Sequence, residues 1–496
     1  MNERGKSDSP IVPAKPPNKA GQPVAEVAEE RGLAKGNTGN PTRTGRSAGQ
    51  DVPSGLNRVR EVALKEKELR FTALLHHVTI TRLYMAYWEI NPKATPGVDN
   101  VTWGTYGRNL EDNLQDLLHR VHSGAYRPCP SKRAYIPKID GGKRPLGIAS
   151  LEDKILQRAV VEVLNAIYEE DFLGFSYGFR PGRSPHDALD ALTVGIEKKK
   201  VNWVLDADIR SFFTQLDQAW LMKFLEHRIA DKRVLRLITK WLRAGVIEDG
   251  QWSETKEGSP QGASVSPLLA NVYLHYVFDR WVSTWRKRRA QGDMIVTRFA
   301  DDFIVGFEYE SDAKQFLHDL RERFAKFNLE LHPQKTRLIE FGRHAVHNRK
   351  IRGLGKPETF DFLGFTHICG KARNGSFWLR RITISKRMAT KLKQVRAELM
   401  RRRHLPVPEQ GRWLASVVRG HLNYFAVPGN LDAVAQFRTQ VTRSWYKALR
   451  RRSQRHRLNW ERMARLANRW LPPARNIHPF PSVRFAARTL GRSPVR

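Results

Sequence analysis

Two short apolar segments enclose an adjacent pair of aspartates near the middle of the chain. Residues 294–299 and 303–307 are rich in β-branched and aromatic side chains, which predicts two strands. Asp301 and Asp302 would then lie at the tip of a hairpin. Adjacent carboxylates in apolar surroundings oppose each other's ionisation, and a divalent cation would remove that cost. A solvated turn is the alternative for the pair alone, because aspartate is common in turns.

A second acidic strand is predicted upstream, at residues 202–209. Asp206 and Asp208 alternate with apolar residues there, so both side chains would lie on one face of the strand. An aspartate in a buried strand is uncommon without a partner. This strand therefore offers a third carboxylate for the hairpin that carries Asp301 and Asp302.

Helical spacing of apolar residues fills most of the chain around these strands. Ser184 and Ser266 are predicted helix N-caps, each followed by a proline at the first helical position. The order strand, helix, hairpin, helix, with acids on adjacent strands, predicts an α+β palm that performs metal-dependent chemistry on a phosphate. The predicted helices cover residues 58–90, 107–122, 151–170, 185–198, 266–285 and 313–324.

Three further segments suit contact with a phosphorylated substrate. Residues 134–148 predict a hairpin around a Gly-containing turn, after which Lys143 and Arg144 could reach a triphosphate, although each alone is ordinary surface charge. The small-residue loop 258–267 would let a substrate approach the backbone closely. In residues 175–183 aromatics alternate with Arg and Gly, which suits nucleic-acid contact or a packed loop.

Net charge narrows the class of partner. The chain has 86 Lys and Arg against 50 Asp and Glu, a formal charge of +36 and a pI near 10.5. Such an excess predicts a polyanionic partner held through phosphate contacts. We expect no membrane span, because no apolar run reaches about 18 residues. The two cysteines, Cys129 and Cys369, exclude a disulfide framework and a cysteine zinc site, so a reducing compartment is expected.

The two ends of the chain differ from its centre. Residues 1–57 contain few apolar side chains and are predicted to form a disordered basic tail, with an RNA-contacting arm as the alternative. After about residue 380 helical spacing dominates and arginines interleave with aromatics, which suits RNA contact or a basic bundle with an aromatic core. The predicted domains are 1–57, 58–380, 381–475 and an extended, Pro- and Arg-rich tail at 476–496.

Seven segments, taken together and in order, resemble the group II intron-encoded reverse transcriptase and maturase family. The resemblance implies a right-hand polymerase, with α+β fingers and palm over 58–380 and an all-α thumb or maturase domain over 381–475. It implies an RNA-directed DNA polymerase that copies intron RNA during retrohoming and a maturase that assists splicing. The segments are 143–148, 175–183, 208–213, 259–262, 299–302, 331–336 and 360–365.

The resemblance also implies roles for single residues. Asp208, Asp301 and Asp302 would hold two Mg²⁺ ions, with Asp206 as the alternative to Asp208 that the motif register disfavours. Phe213 would lie against the sugar and exclude a 2′-hydroxyl, which selects deoxynucleotides. Three cations would bind the triphosphate and one amide would lie under the nucleotide or template: these are Lys143, Arg144, Lys335 and Gln261.

Departures from the family pattern and alternatives remain open. Phe299 stands where many relatives have Tyr, and Thr214 where many have Asp. No His-Asn-His endonuclease is expected, which resembles class C members. The resemblance implies as partners intron RNA, an RNA template, a DNA primer or target, and deoxynucleotides, and it implies a bacterial cytoplasm as the location. The alternatives are a splicing cofactor alone, which predicts a lost acid, and a domesticated reverse transcriptase in phage defence or a CRISPR system. An RNA-dependent RNA polymerase is disfavoured by Phe213.

Overall fold

The computed structural model describes residues 55–137, 142–254, 258, 262–452 and 458–489. The N-terminal half begins with helices and the first hairpin: α1 Gly55–Lys65, α2 Ile80–Glu89, α3 Trp103–Tyr106, α4 Leu110–Ser123, β1 Ser131–Pro137, β2 Lys143–Ile148, α5 Leu151–Asp171 and α6 Pro185–Lys198. It continues with β3 Trp203–Asp208, α7 Phe212–Gln215, α8 Gln218–Glu226, α9 Lys232–Arg243, β4 Val246–Glu248 and β5 Gln251–Ser253.

The C-terminal half carries the aspartate hairpin and then a helical region. Its first elements are α10 Ser266–Leu274, a π-helical turn His275–Asp279, α11 Arg280–Arg288, β6 Met294–Phe299, β7 Asp302–Phe307, α12 Glu310–Ala325, β8 Arg337–Glu340 and α13 Ala345–Ile351. Its last elements are β9 Phe360–Phe362, β10 Phe365–Lys371, β11 Phe377–Thr383, α14 Ser385–Arg401, α15 Val407–Phe425, α16 Leu431–Arg450, α17 Trp460–Trp470 and α18 Pro481–Thr489.

The central sheet has the strand order β6-β7-β3-β8, and all its pairs are antiparallel. It is the palm predicted from the sequence, because β3 brings its acids beside the β6–β7 hairpin. Helix α12 packs on this sheet through Phe316, Leu320 and Phe324, the stripe predicted from its spacing. A single apolar cluster joins the sheet to the long buried helix α5 and to α10.

Two smaller sheets flank the palm. The first has the order β2-β1-β4-β5 and contains the hairpin predicted at residues 134–148. The second has the order β11-β10-β9 and shares an apolar cluster with α6. Helices α14 to α17 enclose a third cluster around the fully buried Trp445, whose indole N–H donates to Gln410 Oε1. Strands and helices thus give the predicted α+β architecture with a helical C-terminal region.

The segment predicted as helical over 58–90 is instead two helices, α1 and α2. The backbone N–H groups of Leu74 and Leu75 donate to Asp231 Oδ2 at 2.8 and 3.0 Å, and so they are not available to a continuous helix. Helix α2 then starts afresh with Thr79, whose hydroxyl accepts the N–H of Arg82. A long-range acid therefore overrides the local apolar spacing here.

Of the two predicted N-caps, Ser184 is observed and Ser266 is not, and the C-terminal tail also differs from its prediction. Ser184 caps α6 and forms a capping box with Asp187, as its sequence predicts. Ser266 is the first residue of α10 rather than its N-cap, and Val265 precedes it. The tail expected to be extended forms α18, which packs against α6. Arg484 of α18 is 7% exposed and lies 2.7 Å from Asp190 of α6, a contact that fixes this helix.

No helix in the described ranges is long and apolar enough to cross a bilayer.

Candidate active site

Two of the predicted carboxylates lie directly opposite each other on neighbouring strands. Asp208 ends β3 and Asp302 begins β7, and their Cα atoms are partners in the antiparallel ladder. Asp301 precedes Asp302 in the turn between β6 and β7. The turn needs Ala300 in the left-handed region, with a φ of 57°. The register therefore brings three acids to one end of the central sheet.

Lys335 also reaches this end of the sheet. Its Nζ lies 2.8 Å from Asp208 Oδ2. The segment that carries it is held against β3, because the N–H of His332 donates to the carbonyl of Asp208 at 2.8 Å. The Lys335 side chain is 59% exposed, so it can leave Asp208 at little cost and meet another anion.

The carboxylates of the turn are held in conditions that favour a cation. Burial raises the pKa of Asp301, and the charge of Asp208 raises it further, whereas Arg144 and Arg298 oppose the rise. Burial raises the pKa of Asp302 well above its ordinary value, with Asp301, Asp206 and Asp208 adding to the effect. Burial is the larger cause of both pKa shifts, and the neighbouring like charges add to it. A bound cation would reverse them by stabilising the ionised forms.

Asp206 lies on the same face of β3 as Asp208, two ladder positions further from the turn, opposite Ile304. Its Oδ2 is 3.2 Å from a guanidinium nitrogen of Arg337 in β8. Burial raises the pKa of Asp206 to about 6, although Arg337 opposes the rise. Asp206 thus lies beside Asp208, Asp301 and Asp302, further from the turn, and it pairs with Arg337 of β8.

Phe213 lies in the short helix α7, which follows β3 directly. Its ring is partly buried and packs edge-on against Phe212, with 5.3 Å between centroids. Gly258 lies against this turn, and a Cβ there would come within 2.6 Å of the Phe213 carbonyl. Gly262, at a φ of 108°, lies similarly close to the carbonyl of Gly147 in β2. Two glycines of the small-residue loop therefore lie close to the main chain, Gly258 at the Phe213 turn and Gly262 at the first hairpin.

The cations of the first hairpin are exposed on β2. Lys143 lies over the ring of Tyr135, with Nζ 5.8 Å from its centroid. Arg144 is close enough to Asp301 to oppose the rise in the pKa of that carboxyl. Gln261, to which the resemblance gives a nucleotide contact, lies outside the described residues. The structure therefore assembles Asp208, Asp301, Asp302 and Lys335 at one end of the sheet, with Arg144 facing them.

A metal fits this site by its donor chemistry. Carboxylate oxygens are the ligands that Mg²⁺ uses, and Mg²⁺ takes few of them, together with waters and substrate phosphates. Among the described residues no three His, Cys, Asp or Glu side chains already surround one point closely enough to enclose an ion. The Lys335 ammonium instead neutralises Asp208. The side chains of Asp208, Asp301 and Asp302 thus supply the kind of donor that Mg²⁺ binds.

Sequence reasoning missed a second set of charges beneath the turn. Arg298 of β6 and Asp279 of the π-helical turn are both fully buried and form an ion pair. The signal was present, because Arg298 interrupts the apolar run 294–299 and Asp279 follows an apolar helix segment. A buried arginine or aspartate needs a partner, which relates two such interruptions to each other.

Comparison with known proteins agrees with this geometry. Residues 136–367 match the family model described as reverse transcriptase (RNA-dependent DNA polymerase). This part of the chain is a reverse transcriptase domain. The domain contains the palm sheet, the three acids and the Lys335 segment. The match confirms the polymerase fold class and the family predicted from the sequence. The resemblance to class C members stays a prediction.

Similar proteins come from bacteria and from a plant. Protein YkfC of Escherichia coli (strain K12) is 40% identical over 239 residues, covering 42% of this chain and 63% of YkfC. Group II intron-encoded protein LtrA of Lactococcus lactis subsp. cremoris is 31% identical over 291 residues, covering 57% of this chain and 47% of LtrA. Nuclear intron maturase 3, mitochondrial, of Arabidopsis thaliana is 30% identical over 232 residues, covering 42% and 31%. The chain thus spans less than two thirds of each relative.

Proposed function

We propose that this protein is an RNA-directed DNA polymerase that extends a DNA primer on an RNA template. The observation that carries the proposal is the pairing of Asp208 with Asp302 across the palm, with Asp301 in the adjoining turn, inside a reverse transcriptase domain. Deoxynucleoside triphosphates would be the substrates. Intron RNA would be the template and a DNA target the primer, supported by the similarity to a group II intron-encoded protein.

In the proposed reaction Asp208, Asp301 and Asp302 hold Mg²⁺. Two such ions, when bound, would activate the 3′-hydroxyl of the primer and stabilise the departing pyrophosphate. Lys335 would exchange its contact with Asp208 for an oxygen of the triphosphate, which releases the carboxylate for the metal. Lys143 and Arg144 would approach the same triphosphate from the first hairpin, where they lie on β2. Gln261 belongs to the proposed nucleotide contacts as well.

Phe213 would select the sugar. Its turn follows β3, so Phe213 comes five residues after Asp208, and the main chain of the turn lies against Gly258. A bulky ring at that place would clash with a 2′-hydroxyl and admit only deoxynucleotides. This contact favours DNA over RNA as the product.

We propose maturase activity as a second function, carried by the C-terminal helices α14 to α17. Their aromatic residues Trp445 and Phe437 are buried in the apolar cluster, so the aromatic-core alternative holds for these two rings. The outer faces carry exposed cations, which could neutralise RNA phosphates. The similarity to an intron maturase supports this role, and two bacterial relatives support a bacterial cytoplasm. The exposed cations include Lys393, Arg396, Arg412, Arg419 and Arg443.

The deciding experiment is primer extension on an RNA template with Mg²⁺ and deoxynucleotides. Wild type is expected to synthesise DNA, and Asp301→Asn to lose at least about 10³-fold in rate, because electrostatic stabilisation of a phosphoryl transition state dominates such reactions. Asp249→Asn is the matched control, since Asp249 also lies in a hairpin turn, the one between β4 and β5, which belongs to a different sheet from the palm. The polymerase proposal fails if wild type and Asp301→Asn make equally little DNA.

A splicing assay tests the second function separately. A group II intron that self-splices only at high Mg²⁺ is incubated at low Mg²⁺ with wild type or Asp301→Asn. Both are expected to restore splicing, because binding by the C-terminal helices does not need the polymerase acids. A combined Arg412→Gln and Arg443→Gln variant is expected to lose this rescue and keep primer extension on a short template. Absence of rescue by wild type at any concentration would remove the maturase role.

A further inference from the structure

A fully buried arginine lies directly beneath the aspartate turn. Arg298 of β6 and Asp279 of the π-helical turn both have no exposed side-chain surface. Arg298 Nε donates to Asp279 Oδ1 at 2.7 Å, and a terminal nitrogen donates to Oδ2 at 2.5 Å. This is the bidentate geometry in which a guanidinium and a carboxylate bind most tightly.

The remaining donors of Arg298 reach three different segments. One terminal nitrogen donates to the carbonyl of Ala300 at 2.9 Å and to Asn271 Oδ1 at 3.0 Å. The other donates to Ser176 Oγ at 2.7 Å. Together with the two bonds to Asp279 these contacts use all five N–H groups of the guanidinium. Arg298 is therefore a fixed hub that joins the hairpin to α10 and to the segment before α6.

The bond to Ala300 acts on the residue that shapes the turn. Ala300 is held at a φ of 57°, a left-handed conformation that residues with a Cβ seldom adopt. Its carbonyl belongs to the peptide that leads into Asp301, so fixing this oxygen fixes the plane of that peptide. Gly178 closes the other side, since a Cβ there would come within 2.3 Å of the Ala300 nitrogen.

We propose that Arg298 and Asp279 are positioning residues that orient Asp301 for metal binding. Arg298 donates a hydrogen bond to the Ala300 carbonyl, and the ion pair with Asp279 fixes the orientation of the Arg298 guanidinium. Neither side chain touches substrate. The inference rests on the polymerase function proposed above. The competing explanation is that the pair only stabilises the fold and that the orientation of Asp301 does not depend on it.

Replacing both partners separates the two explanations. Removing one partner of a buried ion pair leaves an unpaired charge and is expected to destabilise the protein, whereas apolar replacement of both is often neutral for stability. The variant Arg298→Met/Asp279→Leu should therefore fold, yet it cannot donate a hydrogen bond to the Ala300 carbonyl. A purely structural pair predicts that restored stability brings restored activity.

The matched control is a second buried arginine–aspartate pair far from the turn. Arg228 and Asp171 are 2% and 9% exposed and lie 2.8 Å apart. Arg228 also donates to main-chain carbonyls, those of Ala63, Glu66, Lys67 and Leu69, at the end of α1. The variant Arg228→Met/Asp171→Leu thus makes the same chemical change. It removes four hydrogen bonds to main-chain carbonyls, against one for Arg298, but no contact with the palm turn.

The experiment compares the two double variants with wild type in thermal melting, template–primer binding and single-nucleotide addition. We expect Arg298→Met/Asp279→Leu to melt within a few degrees of wild type and to bind template–primer within 2-fold. Its kcat should fall at least 10-fold with little change in the KM for deoxynucleotide. The concentration of Mg²⁺ for half-maximal rate should rise. The control pair should keep the kcat and the Mg²⁺ requirement of wild type.

Direct metal binding supplies a readout that does not depend on catalysis. Mn²⁺ binding, followed by electron paramagnetic resonance in the presence of template–primer and deoxynucleotide, should weaken at least 3-fold in Arg298→Met/Asp279→Leu and not in the control. A folded variant with wild-type kcat and wild-type Mn²⁺ affinity would overturn the inference. Should the double variant fail to fold, Asp279→Asn, which keeps one acceptor for Arg298, is expected to show the same effects in smaller measure, and wild-type values there would overturn it too. Failure of wild type to add nucleotides, with Mn²⁺ binding still dependent on Arg298, would instead remove the polymerase proposal alone.

Discussion

At the scale of single residues, the contact between Lys335 and Asp208 leads to the first prediction. Exposed ion pairs contribute about 0–1 kcal/mol to stability, so this pair is not needed for folding. Lys335→Ala is expected to melt like wild type and to raise the KM for deoxynucleotide about 10-fold, because one charged contact to the triphosphate is lost. Steady-state single-nucleotide addition measures it.

Arg210 provides the control for Lys335. It lies two residues after the end of β3, and its side chain, 54% exposed, pairs with Glu330 at 3.1 Å rather than with Asp208, Asp301 or Asp302. Arg210→Gln should leave the KM for deoxynucleotide unchanged. An equal rise in KM for both variants would show that Lys335 acts through overall charge and not through the triphosphate.

Phe213 gives the second prediction at this scale. Phe213→Val removes the ring while the buried Phe212 beside it keeps the α7 turn packed. The variant is expected to incorporate ribonucleotides at least 10-fold more efficiently relative to deoxynucleotides, because a 2′-hydroxyl no longer meets the ring. Competitive primer extension with both nucleotide types measures the ratio. An unchanged ratio would contradict the sugar-selecting role.

The residues that the sequence identified and those it missed differ in the kind of signal they carry. Asp208, Asp301 and Asp302 could be found because acids inside apolar strands are anomalous and strand alternation relates their faces. Arg298 and Asp279 also interrupt apolar segments, but no local pattern shows that they pair with each other, because 19 residues and a change of secondary structure separate them. The left-handed φ of Ala300 has no local signature, since alanine usually avoids it.

At the scale of helices and strands, the buried His421 of α15 makes the helical region sensitive to acid. Its ring stacks on Phe437 of α16, with 3.7 Å between centroids, and burial lowers its pKa to about 3, with Lys391 adding to the effect. The unfolded chain accepts a proton below about pH 6.5 and the folded protein does not. Stability from the neutral ring is therefore full above pH 6.5 and falls as the pH decreases toward 3.

The variant His421→Phe tests the direction of this pH dependence of stability. The substitution keeps an aromatic ring on Phe437 and removes the titrating group. When the pH is lowered from 8 to 5, the free energy of unfolding of wild type should fall by up to about 1.4 kcal/mol per pH unit below 6.5. The variant should not show this loss. Urea unfolding at both pH values measures the difference. Parallel loss of stability in the two proteins would contradict a neutral buried His421.

Elements with local signals were predicted well and those set by distant contacts were not. The hairpin at 134–148, the helix starting after Ser184 and the stripe of α12 depend on turn, capping and spacing chemistry within a few residues. The break between α1 and α2 depends on Asp231, more than 150 residues away in sequence. The docking of α18 depends on Asp190 in α6, about 300 residues earlier, and no local pattern announces it.

At the scale of the whole molecule, Asp190 connects three parts of the chain. Its carboxylate lies 2.8 Å from Arg381 of β11 and 2.7 Å from Arg484 of α18, and all three side chains are buried. Burial raises the pKa of Asp190, and the two arginines oppose the rise. One acid thus holds the palm helix α6, the last small sheet and the C-terminal helix together.

Asp190→Leu is expected to destabilise the protein by about 3–5 kcal/mol, because it leaves two buried guanidinium groups without a counter-charge. Thermal unfolding should shift accordingly, and limited proteolysis should cleave before α18 in the variant first. Glu461→Gln, which removes an ion pair with the exposed Arg465, should change stability by less than about 1 kcal/mol. Similar melting of the two variants would show that α18 is held by other contacts.

Net charge and the α+β fold class with its helical C-terminal region were accessible from the sequence, since they sum over many residues and tolerate local errors. The mutual docking of parts was not, because it depends on single buried charges whose partners are remote. Domain limits and the roles of individual site residues remain predictions that the variants above address.

The π-helical turn His275–Asp279 has a consequence for how this palm tolerates insertions and deletions. A turn of this kind contains one residue more than the surrounding α-helix needs, and each residue advances the helix by about 100°. Deleting one residue between Asn271 and Asp279 would give a more regular helix and improve its local hydrogen bonding. It would also rotate Asp279 out of register with Arg298. The segment that looks like a helix defect is the one whose length cannot be trimmed.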